Sequence, residues 1–265
     1  MVNLPNFVNS LNGRKATFAI VASMTAAVAL SSSAVAAKPK TVHIRGTAYE
    51  FNKVRVRLQG AVIKVVEYPK LSAIAGADGS YDMKVPAKAK KLTPYITFPG
   101  YSQIHLQTLA TAGKNLSNVN FQTPSIAIAK GLGLLMRVGI GPTGQPRMCV
   151  IVSTFSTSNV HNLNFEGFIG YGAHGIGGAT ATTKPTLAGA TYFNDQVYPD
   201  RTQLVSSDDG GVIWTSVPDG VYKITAHKAG NKFASFTATC KAGRIVNANP
   251  PWGLYQTSGP PGAAN

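Results

Sequence analysis

Charged side chains are scarce. Asp, Glu, Lys and Arg make up 13% of the 265 residues, about half the usual share. Carboxylates are scarcer still, with ten Asp and Glu against 25 Lys and Arg, so acid–base chemistry has few groups to draw on. In the second half they lie mostly in turns, where Asp supports chain reversal. There are two cysteines, Cys149 and Cys240, too few to complete a zinc site on their own. The five histidines (His43, His105, His161, His174 and His227) never fall at His-x-His or His-x₃-His spacing, which excludes a local metal motif. No Gly-x-Ser-x-Gly elbow occurs. The expectation is a protein that is not an enzyme, with no catalytic residue, no metal and no cofactor.

What is abundant is turn chemistry and apolar residues. There are 27 glycines and 16 prolines, and hydrophobic residues reach 44%. Such a chain can bury sizeable cores, and the many turns favour short strands over long helices. The formal net charge is +15, which suits anionic partners such as acidic polysaccharide, envelope phosphates or nucleic acid. The basic residues are uneven: residues 38–130 hold 14 Lys and Arg against 4 Asp and Glu, and residues 131–265 hold 9 against 6. Lys84, Lys88, Lys90 and Lys91 cluster around one loop and form a candidate polyanion-binding patch, against the simpler reading of a solvated loop. Aromatic residues near them are few, so no specific nucleic-acid partner is expected.

Residues 1–37 read as a Sec-type export signal, with Arg14-Lys15, an apolar run over Ala16–Leu30 and small residues at the cleavage point. Cleavage is expected after Ala36 or after Ala37. The run is shorter than the roughly 20 residues of a membrane span, and no later segment qualifies. The expected mature protein is secreted or periplasmic.

Over residues 40–123, short alternating segments are separated by close turns, as in a sandwich or barrel. Gly60-Ala61-x-Ile63-x-Val65, then Ala77-Asp78-Gly79-Ser80-Tyr81-x-Met83-x-Val85-Pro86, then Tyr95-x-Thr97-Phe98-Pro99-Gly100-Tyr101 resemble the carboxypeptidase regulatory-like, prealbumin-type β-sandwich. The resemblance covers about 80 residues and implies an accessory, non-catalytic module. Residues 131–256 form a second expected sandwich, with strands over Gly131–Ile140 and Met148–Phe155. Its Asp209-Gly210-Gly211-Val212-x-Trp214 with Val217-Pro218 parallels Asp78-Gly79-Ser80-Tyr81-x-Met83 with Val85-Pro86. The fold class is therefore all-β: two tandem Ig/prealbumin-like antiparallel sandwiches, an internal repeat.

Three further expectations concern the second half. Cys149 and Cys240 sit in an early and a late strand, and a disulfide between them is expected in an exported chain. The stretch 156–180, rich in Gly, Ser and Asn, is read as a long surface loop. With His161, Tyr171 and His174, and with Trp214 beside it, it forms the candidate ligand site. Residues 257–265 read as a disordered tail. The similar sandwich of intradiol dioxygenases needs two histidines separated by a single residue, and Ala226-His227-Lys228-Ala229 has only one. A pilin-type Lys–Asn isopeptide bond involving Asn247 or Asn249 lacks a suitable carboxylate, Glu166 being poorly placed.

The function expected is an exported binding or adhesion module for an anionic envelope or polysaccharide partner. The alternatives are a structural or assembly subunit with a protein partner, and an enzyme with its site in residues 156–180.

Overall fold

A computed structural model of the chain describes residues 40–172 and 175–262. The segment expected to be an export signal, with Ala36 and Ala37, and also His174, lie outside the described residues. The first half runs β1 (Thr41–Glu50), β2 (Lys53–Arg57), β3 (Val62–Val65), β4 (Tyr68–Ile74), β5 (Ser80–Pro86), β6 (Lys91–Leu92), β7 (Pro94–Thr97), β8 (Ile104–His105), β9 (Leu109–Ala110) and β10 (Phe121–Thr123). The second half begins with helix α1 (Ile126–Met136), β11 (Cys149–Thr154), helices α2 (Ser158–His161) and α3 (Phe165–Tyr171), β12 (Thr180–Lys184), β13 (Thr191–Phe193) and β14 (Pro199–Asp200). It continues through β15 (Gly211–Val217), β16 (Gly220–His227), β17 (Lys232–Phe233), β18 (Phe236–Cys240), β19 (Ile245–Ala248) and β20 (Gln256–Ser258). The all-β class stands.

The same topology occurs twice. β1 lies antiparallel to β5 and parallel to β10, and β11 lies antiparallel to β15 and parallel to β19. The opposing layers match as well: β3–β7–β8 in the first half and β12–β16–β18 in the second, all antiparallel. Each half has its own core. Ile44, Ile63, Met83, Ile96 and Phe121 fill the first, and Ile151, Phe155, Trp214, Tyr222 and Ile224 the second. Strand alternation explains both. In β5, Tyr81, Met83 and Val85 are buried while Asp82 and Lys84 face solvent.

The two Asp-Gly turns are superimposable in their bonding. Gly79 and Gly210 both have φ of +75°, where an L side chain is strained. Asp78 Oδ1 accepts from Ser80 N–H at 3.0 Å, and Asp209 Oδ2 accepts from Gly211 N–H at 3.1 Å. Each turn is then tied to the first strand of its half: Ala48 N–H donates to Gly79 O, and Phe155 N–H to Gly210 O.

The halves are joined by strand pairing. β19 pairs in parallel with β11 on one side and with β8 on the other, so one nine-stranded sheet runs through both repeats. Residues 39–265 accordingly form one compact unit. The expected disulfide is present: Cys149 in β11 and Cys240 in β18 bridge the two layers of the second sandwich, with Cα atoms 5.6 Å apart. Closing a loop of this length stabilises the fold by roughly 4–5 kcal/mol through the unfolded state.

Three local expectations are corrected. Gly131–Ile140 is not a strand, because Ile126–Met136 is helical. Ser125 caps it, its side chain accepting from Ile128 N–H, and Arg137 ends it in the left-handed region with Val138 N–H returning to Gly133 O. Ala129, Gly133 and Met136 form its buried row at helical spacing, while the alternation of glycine and leucine mimics a strand. The stretch 156–180 is not one long loop, since α2 and α3 occupy much of it. Asn164 caps α3 by accepting from Gly167 N–H at 2.8 Å. The tail is docked as far as it is described. β20 pairs with β17, Gln256 Nε2 donates to Pro260 O, and Gly262 N–H donates to Thr157 Oγ1.

Candidate functional site

Three surfaces carry the polar and aromatic residues a partner could use. The first is the lysine-rich end of the first half. Lys84 lies on β5, Lys88 and Lys90 on the loop that follows, and Lys91 on β6, all exposed. The turn brings in two more lysines. Ala87 N–H donates to Lys40 O, so Lys40 meets the same loop. Lys91 pairs with Ala110, and Thr111 Oγ1 donates to Ala89 O, which carries the 111–114 turn and Lys114 to this end. Among the described residues none of the six lysines forms an ion pair. The nearby Asp82 is already taken, accepting from Arg45 Nε at 2.8 Å and lying 2.5 Å from His43 Nδ1. Those partners hold its carboxyl below the usual range against the opposing effect of burial, the largest single influence.

The second surface is the expected ligand loop, whose side chains largely face inward. His161 stacks flat on Tyr255, ring centres 3.7 Å apart, with Nδ1 2.7 Å from Pro251 O and an edge against Trp252. Tyr171 OH accepts from Asn159 Nδ2. Trp214 is fully buried in the second core, out of reach of any ligand in that stretch. The stretch instead grips the first half. Arg57 Nη2 donates to Glu166 Oε1 at 2.9 Å, Arg57 Nη1 donates to Val54 O, and the guanidinium lies 4.4 Å over the Phe165 ring. Phe165 packs on Tyr49, and Asn118 Nδ2 donates to Leu163 O. Buried Tyr49, Val160 and Phe168 make a small third cluster across the joint. Trp252 Nε1, from the segment after β19, donates to Asn118 O and pins the same place.

The third surface is a cleft of about 470 Å³ beside this clamp, bordered by Tyr49, Asn52, Phe193, Asp195, Asp208 and Asp209. Asp195 Oδ1 accepts from Asp208 N–H. The carboxyl of half-buried Asp209 is pushed up to about 6, chiefly by burial and further by Asp195, with the Gly211 N–H pulling the other way. Sequence reasoning missed the cleft. The available signal was the gathering of four of the ten carboxylates within residues 195–209. Among the described residues no group of three His, Cys, Asp or Glu is placed to hold a metal ion.

No family model matches the chain, and no curated protein matches it. Among solved structures it is similar to a type II cohesin–X-dockerin complex from Acetivibrio cellulolyticus, at 20% identity and a TM-score of 0.24, over 29% of this chain and 52% of that one. It is similar to the TIE protein of Bacillus anthracis, at 12% identity and a TM-score of 0.25, over 82% of this chain and 34% of that one. The minor pilin GBS52 of Streptococcus agalactiae matches at 7% identity and a TM-score of 0.25, over 83% of this chain and 98% of that one. The chain thus spans about half and a third of the first two. Likenesses this distant assign no family, and the topology stands on the strand pairings themselves. Among the described residues no helix is long and apolar enough to cross a membrane.

Proposed function

We propose that this protein is an exported, non-catalytic adhesion or scaffold module that meets an anionic envelope polymer with the lysine-rich end of its first repeat. The observation that carries this reading is the convergence of Lys40, Lys84, Lys88, Lys90, Lys91 and Lys114 on one end, with no ion-pair partner among the described residues. Unneutralised cations held close together attract a polyanion and raise its local concentration. The non-catalytic part is supported by where the reactive side chains sit. Both cysteines are joined, His161 is stacked on Tyr255 with an edge contact to Trp252, and Trp214 is core. The lock between repeats favours a second reading, a rigid assembly subunit, in which the module only spaces its neighbours.

The test is retention of residues 39–265 on an immobilised acidic polysaccharide at rising salt. The expected result is binding that weakens steeply between about 50 and 300 mM salt, as exposed charges are screened. The triple change Lys88→Glu, Lys90→Glu, Lys91→Glu is expected to abolish it. Binding that ignores salt, or survives the triple change, contradicts the proposal. No binding at all leaves the assembly reading standing in its place.

A further inference from the structure

Helix α1 is apolar on every side and open on one. Its eleven residues carry a single charge, Lys130. Met136 on its inner row packs with Val150, Phe193 and Ile213 over the outer face of the nine-stranded sheet. The outer row, Ala127, Lys130, Gly131 and Leu134, faces solvent, with Leu134 82% and Leu135 52% exposed. A helix hydrophobic all round is ordinarily covered. Leu204, in the segment after β14, is also 83% exposed. It lies three residues beyond Arg201, whose Nη2 donates to Met136 O at the end of α1. Tyr198, also exposed, precedes Pro199, which borders the apolar slot beneath the helix.

The leucines are flanked by cations. Lys130 stands four residues before Leu134, on its face of the helix, and exposed Arg137 ends the helix three residues after it. With Arg201 they are exposed, and among the described residues none forms an ion pair. The sequence has no carboxylate between Asp82 and Glu166, so nothing on α1 or its flanks offsets Lys130 and Arg137. The carboxylate nearest along the chain to Arg201 is Asp200 on β14, whose Oδ1 accepts from Thr202 N–H and Oγ1; those bonds hold it ionised, so it offsets one of the three positive charges and leaves an excess of two. A second copy is a poor occupant. A two-fold pairing would set the same three cations against themselves. An anionic bilayer fits both features, since leucines enter the acyl boundary while Lys and Arg meet headgroup phosphates.

We infer that the outer face of α1, with Leu134 and Leu135 flanked by Lys130, Arg137 and Arg201, is a peripheral docking surface for anionic lipid bilayers. It lies in the second repeat and is independent of the lysine-rich end.

The probe is co-sedimentation of residues 39–265, the unit holding both cores, with vesicles of phosphatidylcholine alone or of equal phosphatidylcholine and phosphatidylglycerol. Omitting residues 1–38 removes the apolar run Ala16–Leu30 from the measurement. Binding is expected only to the anionic vesicles, falling about tenfold in the double variant Leu134→Gln, Leu135→Gln and similarly in Lys130→Glu, Arg137→Glu. These side chains are exposed, so an unchanged thermal midpoint is expected alongside. The inference is overturned if the leucine variant binds as well as the parent while Lys88→Glu, Lys90→Glu, Lys91→Glu does not, because the lysine-rich end is then the lipid contact. It is equally overturned if no vesicle is bound, whether light scattering then shows a monomer or a dimer that the leucine change disrupts.

Discussion

Asp209 does two things at once. Its Oδ2 holds the second Asp-Gly turn by accepting from Gly211 N–H, and its charge sits half-buried near Asp195. Burial first, and Asp195 second, raise its carboxyl from 3.8 to about 6. A carboxylate whose folded pKa is raised stabilises the fold while protonated, so its contribution is greatest below about pH 4 and is lost as pH rises through 6. Asp209→Asn keeps the acceptor and removes the charge. The variant is expected to gain stability over the parent at pH 7, by at most about 3 kcal/mol, and to match it near pH 3. Urea melts at the two pH values measure this difference. His105, on β8, works in the opposite direction. It is buried, its Nδ1 has no partner, and burial, then Arg244, lowers it to about 4. Its contribution is complete above pH 6.5 and is lost as pH falls toward 4. Because β8 pairs with β19, acid should loosen the joint between the repeats first. Amide exchange at Ile104 and Val246 should accelerate below pH 5 before that of Ile63 or Trp214, and uniform acceleration would refute this.

At the scale of elements, the repeated turn gives a paired prediction. An Ala Cβ at Gly79 would sit 2.6 Å from Ala48 O, and one at Gly210 would sit 2.8 Å from Phe155 O, both at φ of +75°. Gly79→Ala and Gly210→Ala should each cost about 1–3 kcal/mol. A negligible cost at either site, read by chemical denaturation, would show that the two turns are not equivalent. These turns were legible in the sequence because Asp-Gly dictates local geometry, and the strands beside them because one face of each is buried. Helix α1 was not legible. Gly131-Leu132-Gly133-Leu134 alternates with a strand's period, and the helix is decided instead by the Ser125 cap, by Arg137 at the other end and by a sheet face needing cover. The clamp was hidden for a related reason. Phe165, Glu166 and Phe168 look like loop residues until Tyr49 and Arg57, over a hundred positions earlier, supply their partners. Of the residues expected to form a ligand site, His161 and Tyr171 serve that clamp region, and Trp214 serves the core.

Over the whole molecule, two staples act at different ranges. The disulfide ties the two layers of the second repeat, so reduction, or Cys149→Ser with Cys240→Ser, should lower stability by about 2–5 kcal/mol. The β8–β19 pairing and the Arg57–Glu166–Phe165 contacts tie repeat to repeat. Tandem sandwiches on a flexible linker unfold independently, whereas sandwiches sharing a sheet lose part of one when the other opens. The chain connecting these repeats is no loose linker, since its helix is itself packed on the shared sheet. Differential scanning calorimetry of residues 39–265 with the disulfide intact tests this fusion most directly. A single transition whose calorimetric and van't Hoff enthalpies agree is the expected result, and two separately resolved transitions would contradict it.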